Sequence, residues 1–413
     1  MKIFHFPGRQ LNLKKMHQID FWVGIPLCAL MTFWDRICRF IFHPPKRSVR
    51  RILLIKLFEV GAIVQAYPLL TWLRKTYPDA QISFLVFEKN TFLLRVFNNL
   101  ISFHHIYGIP DESFWCLVSG TYKIWRDILK EDFDVVIDLE FFSRFTSLLS
   151  YLSGAERRVG FHRYSFEGLY RGDLYTHKVP YNPLLHCSKM YLALGKMVSL
   201  SHMNAPGISV SVDDSEMVFP YIPPSINMTK RLQEKFEKLG LGANRLYLVN
   251  PGEGVLPLRE WPLNNYNLLV RMILIENPSN VVVIIGRNFL TGKDIDLHQM
   301  VDNPRCFNWS KEIDIEELIA LFHMAKILVC NDGGLSHLAS VTPLKTIVLF
   351  GPESPQVFSP AGIGTRVIFA EWPCSPCLSV LNHRISSCRE NYCLQAIPLE
   401  RVFSIVMENN PDN

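Results

Sequence analysis

The sequence predicts an α/β protein of two doubly wound, Rossmann-like halves facing one another across a cleft. Three observations carry this expectation. From Arg51 onward, short β-branched and aliphatic runs alternate with longer amphipathic stretches; a breaker-rich segment interrupts that rhythm near residues 200–228; and the same rhythm then restarts. The 413 residues suit two domains better than one, and 48% apolar with 20% charged residues is the composition of an ordered globular chain.

The elements follow in order. Residues 1–50 form a basic and apolar amino-terminal segment. Ten Lys or Arg lie within residues 1–51 against Asp20 and Asp35, a local charge of +8 within a total of +5. The remainder is mildly acidic, which argues against a uniformly basic surface for nucleic acid, and the basicity flanks an apolar stretch where it favours an anionic inner-membrane surface. Phe21 to Trp34 carries no charge, but Asp35, Arg36 and Arg39 follow, so the run falls short of the roughly twenty apolar residues of a spanning helix. Two readings stay open: a helix in the membrane interface, with Trp22, Phe33 and Trp34 at headgroup depth, or a helix packed on the protein's own surface. His43-Pro44-Pro45 ends the segment, because proline lacks an N–H and disfavours helix in the residue before it. No secretory cleavage site follows the apolar run, so a cytoplasmic protein is expected, with a peripheral place on the cytoplasmic face of the membrane open to it.

Residues 51–215 read as the first half. Ile52 to Lys56, Gln81 to Val86, Asp134 to Asp138 and Arg157 to Gly160 are its strands, with helices at Ala62 to Tyr77 and Ser143 to Leu152. Pro206, Gly207, Pro220, Pro223 and Pro224 mark a linker, placed at 216–230. Residues 231–396 repeat the pattern. Their strands are Leu246 to Asn250, Val281 to Ile285, Ile327 to Cys330 and Thr346 to Phe350, and their helices lie around Leu263 to Glu276 and Ile315 to Lys326. Residues 397–413 complete the chain as a carboxyl-terminal helix. Doubly wound sheets bind ligands beyond the carboxyl ends of their strands, so active-site residues are expected just after strands.

Several segments in such places carry chemistry. Asn331-Asp332-Gly333-Gly334-Leu335-Ser336-His337 follows a strand and opens a helix. Its glycines admit a bound group close to the backbone, and the helix start offers free N–H groups to an anion. Asp332 can cap the helix or hold a sugar hydroxyl, with His337 one turn on; a capped helix without a ligand reads the same way. Asn250-Pro251-Gly252-Glu253 leads to Arg259-Glu260-Trp261-Pro262, where a guanidinium suits phosphate oxygens. Ile52 to Lys56 leads through Glu59-Val60-Gly61-Ala62 to Tyr67-Pro68. Asp138, Glu140 and Arg144 surround the end of a further strand, ahead of Arg157, Arg158 and Arg163. Gly61 stands alone after Lys56, without Gly-x-Gly-x-x-Gly, which argues against a nicotinamide-dependent oxidoreductase.

Together these motifs, with Phe350-Gly351-Pro352, resemble glycosyltransferase family 9, the heptosyltransferase-like enzymes, over about residues 50–405 in organisation. The resemblance implies a GT-B type fold and an inverting transfer of a sugar, commonly heptose, without a catalytic divalent metal. The donor would be a nucleotide sugar, ADP-heptose favoured, and the acceptor a glycan, lipid-linked or protein hydroxyl. It implies donor-side roles for Asp332, Gly333, Gly334, His337, Arg259, Asn250 and Lys56, and acceptor-side roles for Arg144, Arg157, Arg158 and Arg163. Two departures matter. The family usually has Thr or Ser where Gly333 stands, and its catalytic Asp is here Ala62, which cannot accept a proton. Glu59, three residues earlier, is expected to serve as the base, with Glu140 and Asp138 as alternatives. Without a base the chain would be a nucleotide-sugar-binding homologue that has lost catalysis.

Cys374, Cys377, Cys388 and Cys393 have the ligand count and paired spacing of a tetrahedral thiolate site, with His383 as a substitute ligand. Four thiolates favour zinc or iron, in a closed site that staples a loop and does not catalyse. Some family 9 members carry a similar cysteine group, which supports a structural metal. Two disulfides, disfavoured in a reducing compartment, or four free thiols are the other readings. A metal-stapled scaffold docking on membranes through residues 21–42 is the non-enzymatic alternative.

Overall fold

The computed structural model describes residues 13–41, 48–162, 169–200, 207–241, 245–252, 256–286, 302–310 and 313–408. The chain divides into two compact units, Met1–Val218 and Phe219–Asn413. Residues 216–230, expected as linker, contain that division, and their last residues already belong to a helix, Ile226–Lys238.

The first unit holds strands β1 (Arg51–Ile55), β2 (Gln81–Phe87), β3 (His105–Ile109), β4 (Val135–Asp138), β5 (Arg157–Phe161) and β6 (His177–Val179). The second holds β7 (Arg245–Asn250), β8 (Asn280–Ile284), β9 (Cys306–Asn308), β10 (Ile327–Asn331), β11 (Lys345–Phe350) and β12 (Thr365–Phe369). Each set forms one six-stranded sheet, in the orders β3-β2-β1-β4-β5-β6 and β12-β11-β10-β7-β8-β9. Every pairing is parallel. Counted from its own first strand, each sheet has the doubly wound order, and the winding reverses between β1 and β4 and between β7 and β10. Sequence dictates this arrangement through unbroken apolar runs. Ile52, Leu53, Leu54 and Ile55 are all fully buried, as residues of a parallel strand covered by helices on both faces must be.

All the strands read from the sequence are present. The four that were not read, β3, β6, β9 and β12, are the edge strands of the two sheets. The long helix expected over 62–77 is two helices, α3 (Val60–Gln65) and Tyr67–Thr76, divided at Ala66 ahead of Pro68, whose missing N–H stops the ladder.

The amino-terminal residues fold as α1 (Leu13–Trp22) and α2 (Gly24–Ile41), and Met16–Cys38 is long and apolar enough to cross a membrane by length and composition. One stripe of α2, made of Gly24, Cys28, Thr32 and Asp35, is buried against the first unit. Asp20 adds to the Ser143 cap of the helix Arg144–Leu152: its Oδ1 accepts the N–H groups of Arg144 at 3.0 Å and Phe145 at 2.9 Å, and its Oδ2 pairs with the Arg144 guanidinium at 3.2 Å. Thr32 Oγ1 accepts the Asp173 N–H at 2.8 Å, and Asp35 pairs with Arg158 at 3.6 Å. A Cβ on Gly24 would come within 2.7 Å of the Arg144 side chain, so only glycine allows this approach. The opposite stripe, Val23, Leu27, Leu30, Phe33, Trp34 and Ile37, is exposed. One face of the segment thus packs on the protein, as the second reading expects, and the other leaves a row of aromatic and aliphatic side chains exposed.

Candidate active site

In the first unit the winding reverses where β1 and β4 end, and three charged side chains meet there. Glu140, just after β4, accepts the N–H groups of Leu57 at 2.7 Å and Phe58 at 2.8 Å on Oε1, and the Lys56 ammonium at 2.9 Å on Oε2. It is buried, and all three bonds serve to clamp the turn that follows β1. Glu59 stands at the end of that turn with its Oε2 at 3.6 Å from Lys56 Nζ and its side chain 30% exposed. Its φ of 68° lies in the left-handed region, costly for a residue with a Cβ, and the clamped turn holds it there as the residue before α3. Ala62, where the resemblance expects the family's Asp, is buried inside α3, and Glu59 carries the half-buried carboxylate of the turn. Lys56, expected on the donor side, lies instead in this carboxylate cluster, and its ammonium sits 5.5 Å from the centre of the Phe141 ring.

Asp138 is fully buried at the end of β4. Its Oδ2 accepts from Arg171 and from the Tyr175 hydroxyl, both at 2.6 Å, and its Oδ1 accepts the Glu140 N–H at 2.9 Å. Burial pushes its carboxyl up, while Arg171 and the Tyr175 hydroxyl pull against that. A carboxylate enclosed in this way has no path to a substrate hydroxyl, and its role is to anchor Arg171, which also donates to the carbonyls of Glu140 and Phe161 at 3.2 Å each. Arg171 was not read from the sequence, because nothing local distinguishes it from a surface arginine.

The expected acceptor-side arginines have internal partners. Arg144 is buried on Asp20, and Arg158 pairs with Asp35 while donating to the carbonyls of Leu174 at 2.7 Å and Ala155 at 2.8 Å. Arg157 reaches the Val198 carbonyl at 3.4 Å. Arg163 lies outside the described residues.

In the second unit the reversal point is the end of β7 and β10. Asn250 closes β7 and accepts the Gly252 N–H at 3.3 Å on Oδ1, and a Cβ on Gly286, whose φ is 94°, would strike that oxygen. Asn331 closes β10: its Oδ1 accepts from the Trp261 N–H at 3.0 Å and the Tyr266 hydroxyl at 2.9 Å, and its amide donates to the Pro251 carbonyl at 2.9 Å. The loops after β7 and β10 are thereby fixed together. Gly333 is extended (φ −177°), Gly334 opens a six-residue helix, Gly334–Ala339, and His337 is buried within it. So short a helix offers free amides with little dipole behind them, and charge at this end comes mainly from side chains.

Those side chains form a chain of four. Arg259 Nε lies 3.8 Å from Asp332 Oδ2, and its terminal nitrogen donates to Glu353 Oε1 at 2.6 Å; Arg384 Nε lies 2.9 Å from the same Glu353 oxygen. Burial pushes the Asp332 carboxyl up against the pull of Arg259. Burial also pushes Glu353 up to about 7, Arg259 opposing and Asp332 adding to the shift. Sequence reading found Arg259 and Asp332 but missed Glu353 and Arg384. The available signal was position: Glu353 follows directly on Gly351-Pro352 at the end of β11.

All four clustered cysteines are free thiols; Cys374 is exposed, Cys377 and Cys388 are half-buried, and Cys393 is buried. Burial pushes the Cys393 thiol up, and charge on Cys377, Cys374 and Cys388 pushes the same way. Among the described residues no group of three or more His, Cys, Asp or Glu is drawn into a single coordination sphere. The loop lies along the end of β11 through Leu378 N–H to the Pro352 carbonyl at 2.8 Å and a Ser375 hydroxyl bond to the Gly351 carbonyl.

The model for glycosyltransferase family 9 (heptosyltransferase) matches residues 121–384, which include Glu140, Arg259, Asp332, Glu353 and Arg384. A lipooligosaccharide heptosyltransferase 2 from Haemophilus ducreyi is 24% identical over 316 residues, covering 75% of this chain and 86% of that protein. Two solved structures share the fold. One is a family 9 glycosyl transferase from Veillonella parvula, with a TM-score of 0.66 and 20% identity over 89% of this chain and 99% of that one. The other is the E. coli ADP-heptose lps heptosyltransferase II, with a TM-score of 0.62 and 17% identity over 88% and 99%. With the family model covering more than half of the sequence and the reversal points of both sheets carrying the charged groups described above, the chain belongs to glycosyltransferase family 9, and it is a glycosyltransferase.

Proposed function

We propose that the enzyme moves heptose from ADP-heptose to a hydroxyl of a lipopolysaccharide-type glycan, with inversion at the anomeric carbon. ADP-heptose and the lipopolysaccharide acceptor enter from the names of the E. coli and Haemophilus proteins. The observation that carries the reading is the buried Asp332–Arg259–Glu353 cluster beyond the ends of β10 and β11, where a guanidinium held by two carboxylates suits a phosphate. Arg259 and the amides at Gly333 and Gly334 hold the donor diphosphate, and Asp332 holds a hydroxyl of the donor. On the first unit Glu59 takes the proton of the acceptor hydroxyl. The acceptor oxygen bonds to the anomeric carbon, the bond from that carbon to the diphosphate oxygen breaks, and the nucleoside diphosphate leaves with the electron pair. Arg259 stabilises the charge that grows on the leaving oxygens, a contribution that is large when the donors are fixed in advance. The test is incubation of the full chain with ADP-heptose and a heptose-deficient lipopolysaccharide, watching for ADP release that requires the acceptor. Acceptor-dependent ADP release supports the reading; donor binding without turnover selects the binding-only homologue.

The exposed stripe of α2, in a segment rich in Lys and Arg, supports peripheral attachment to an anionic membrane on its cytoplasmic face, where a lipid-linked acceptor is found. The donor chemistry of Cys374, Cys377, Cys388 and Cys393 fits a thiolate-preferring structural ion, zinc or iron, that would staple the loop. Elemental analysis of the purified protein tests this: about one ion per chain, lost in a Cys388→Ser variant together with thermal stability, is expected, and a metal-free protein of equal stability contradicts it.

A further inference from the structure

The cysteine loop does more than lie against the second sheet, because it carries Arg384 into the charged cluster there. Arg384 Nε lies 2.9 Å from Glu353 Oε1, and the Arg259 guanidinium bonds the same oxygen at 2.6 Å. Two guanidiniums are thus held side by side on one carboxylate oxygen in buried surroundings. Asp332, 3.8 Å from Arg259, balances the second charge, but both guanidiniums converge on one Glu353 oxygen, where their like charges repel. The backbone reaches this arrangement under strain, since His383 (φ 52°) and Arg384 (φ 56°) are consecutive left-handed residues that both carry a Cβ. Arg384 also lies over the Phe358 ring at 5.1 Å, which fixes one face of the guanidinium plane.

The accompanying acids are incompletely satisfied. Glu353 Oε2 and Asp332 Oδ2 are buried without a hydrogen bond. The four groups, two Arg and two carboxylates, sum to no net charge, yet they sit beyond the ends of β10 and β11, where a doubly wound sheet takes its ligand. A paired set of guanidiniums kept from repelling by a carboxylate is suited to receive an anion with two charged groups, which replaces that carboxylate as the partner.

We propose that Arg384 is a second diphosphate-binding arginine of the donor site, delivered by the four-cysteine loop and paired with Arg259 through the shared oxygen of Glu353. The ligand is a nucleoside diphosphate group, and the inference rests on the donor reading given above. On binding, diphosphate oxygens take the two guanidiniums from Glu353, and the buried carboxylate left without them takes up a proton from the solvent. Glu353 is then a positioning residue that sets the spacing of the two arginines and does not itself touch the phosphates.

The experiment is titration of the full chain with ADP, in the wild type and in Arg384→Ala and Arg384→Lys variants, at low and high salt. The wild type binds ADP, and Arg384→Ala binds it about 10-fold to 100-fold more weakly, with a shallower salt dependence because one phosphate-facing charge is gone. Arg384→Lys keeps the charge but not the planar fork, so its affinity falls in between while its salt dependence stays near wild type. Arg384→Lys also serves if the alanine variant fails to fold. Variants that bind ADP as tightly as the wild type, with the same salt dependence, overturn the inference and leave the donor reading standing. A wild type that does not bind ADP overturns both.

Discussion

Lys56 holds two carboxylates in unlike circumstances. Glu140 accepts two backbone N–H groups besides the ammonium, whereas Glu59 keeps a longer contact and nearly a third of its side-chain surface in solvent. The first is a structural clamp, and the second is the less constrained of the two. Glu140→Gln leaves a buried lysine with a weaker partner and loosens the turn, so it is expected to cost about 3–5 kcal/mol of stability, read as a fall in the thermal midpoint. Glu59→Gln alters a half-buried group that makes only the longer 3.6 Å contact with Lys56, and it is expected to leave the melting point near wild type. A pH series tests Glu353. Its carboxyl sits near 7 in the fold against an ordinary 4.5, so the folded state holds a proton that the unfolded chain has lost between those values. Its contribution therefore makes stability fall as pH rises from about 4.5 to about 7, and Glu353→Gln is expected to flatten that slope in thermal melts; parallel curves contradict the assignment. At this scale the sequence disclosed which residues stand after strands but not their partners. Arg144 and Arg158 looked like acceptor ligands because Asp20 and Asp35, the carboxylates they meet, lie more than a hundred residues away in the chain.

Among the elements, legibility followed burial. Central strands such as β1 and β8 are covered on both faces and announce themselves as unbroken aliphatic runs, while the edge strands β3, β6, β9 and β12 have one free side and tolerate His, Lys, Asn and Arg. The helix pair at the amino terminus was legible in composition but not in placement, because its two stripes differ only in what each one faces. Gly24, Cys28, Thr32 and Asp35 recur at helical spacing on the packed side, and the exposed side presents Leu30, Phe33 and Trp34. The full chain is expected to sediment with vesicles containing anionic phospholipid, and a Phe33→Glu, Trp34→Glu double variant to stay largely in the supernatant with its fold intact. Equal sedimentation of the two proteins would remove α2 as the membrane-facing element.

For the whole molecule, the same strand order appears twice, and each sheet carries a charged cluster beyond the carboxyl ends of its strands: Lys56, Glu59 and Glu140 at the reversal in the first unit, and in the second Asp332 and Arg259 at the reversal with Glu353 and Arg384 beside them past β11. The doubled architecture was readable from a repeated rhythm of strands and helices. The carboxylate proposed to stand in for the family's Asp was readable only as a candidate, since neither the burial of Ala62 nor the partial exposure of Glu59 is written in local sequence. The central claim is that this chain catalyses transfer with Glu59 as its base, and the most direct measurement is acceptor-dependent ADP release from ADP-heptose by the wild type and the Glu59→Gln variant, with ADP affinity measured on both. The account predicts turnover by the wild type, a fall of about 100-fold or more in kcat for the variant, and unchanged ADP affinity. A Glu59→Gln enzyme that turns over as fast as the wild type would contradict it.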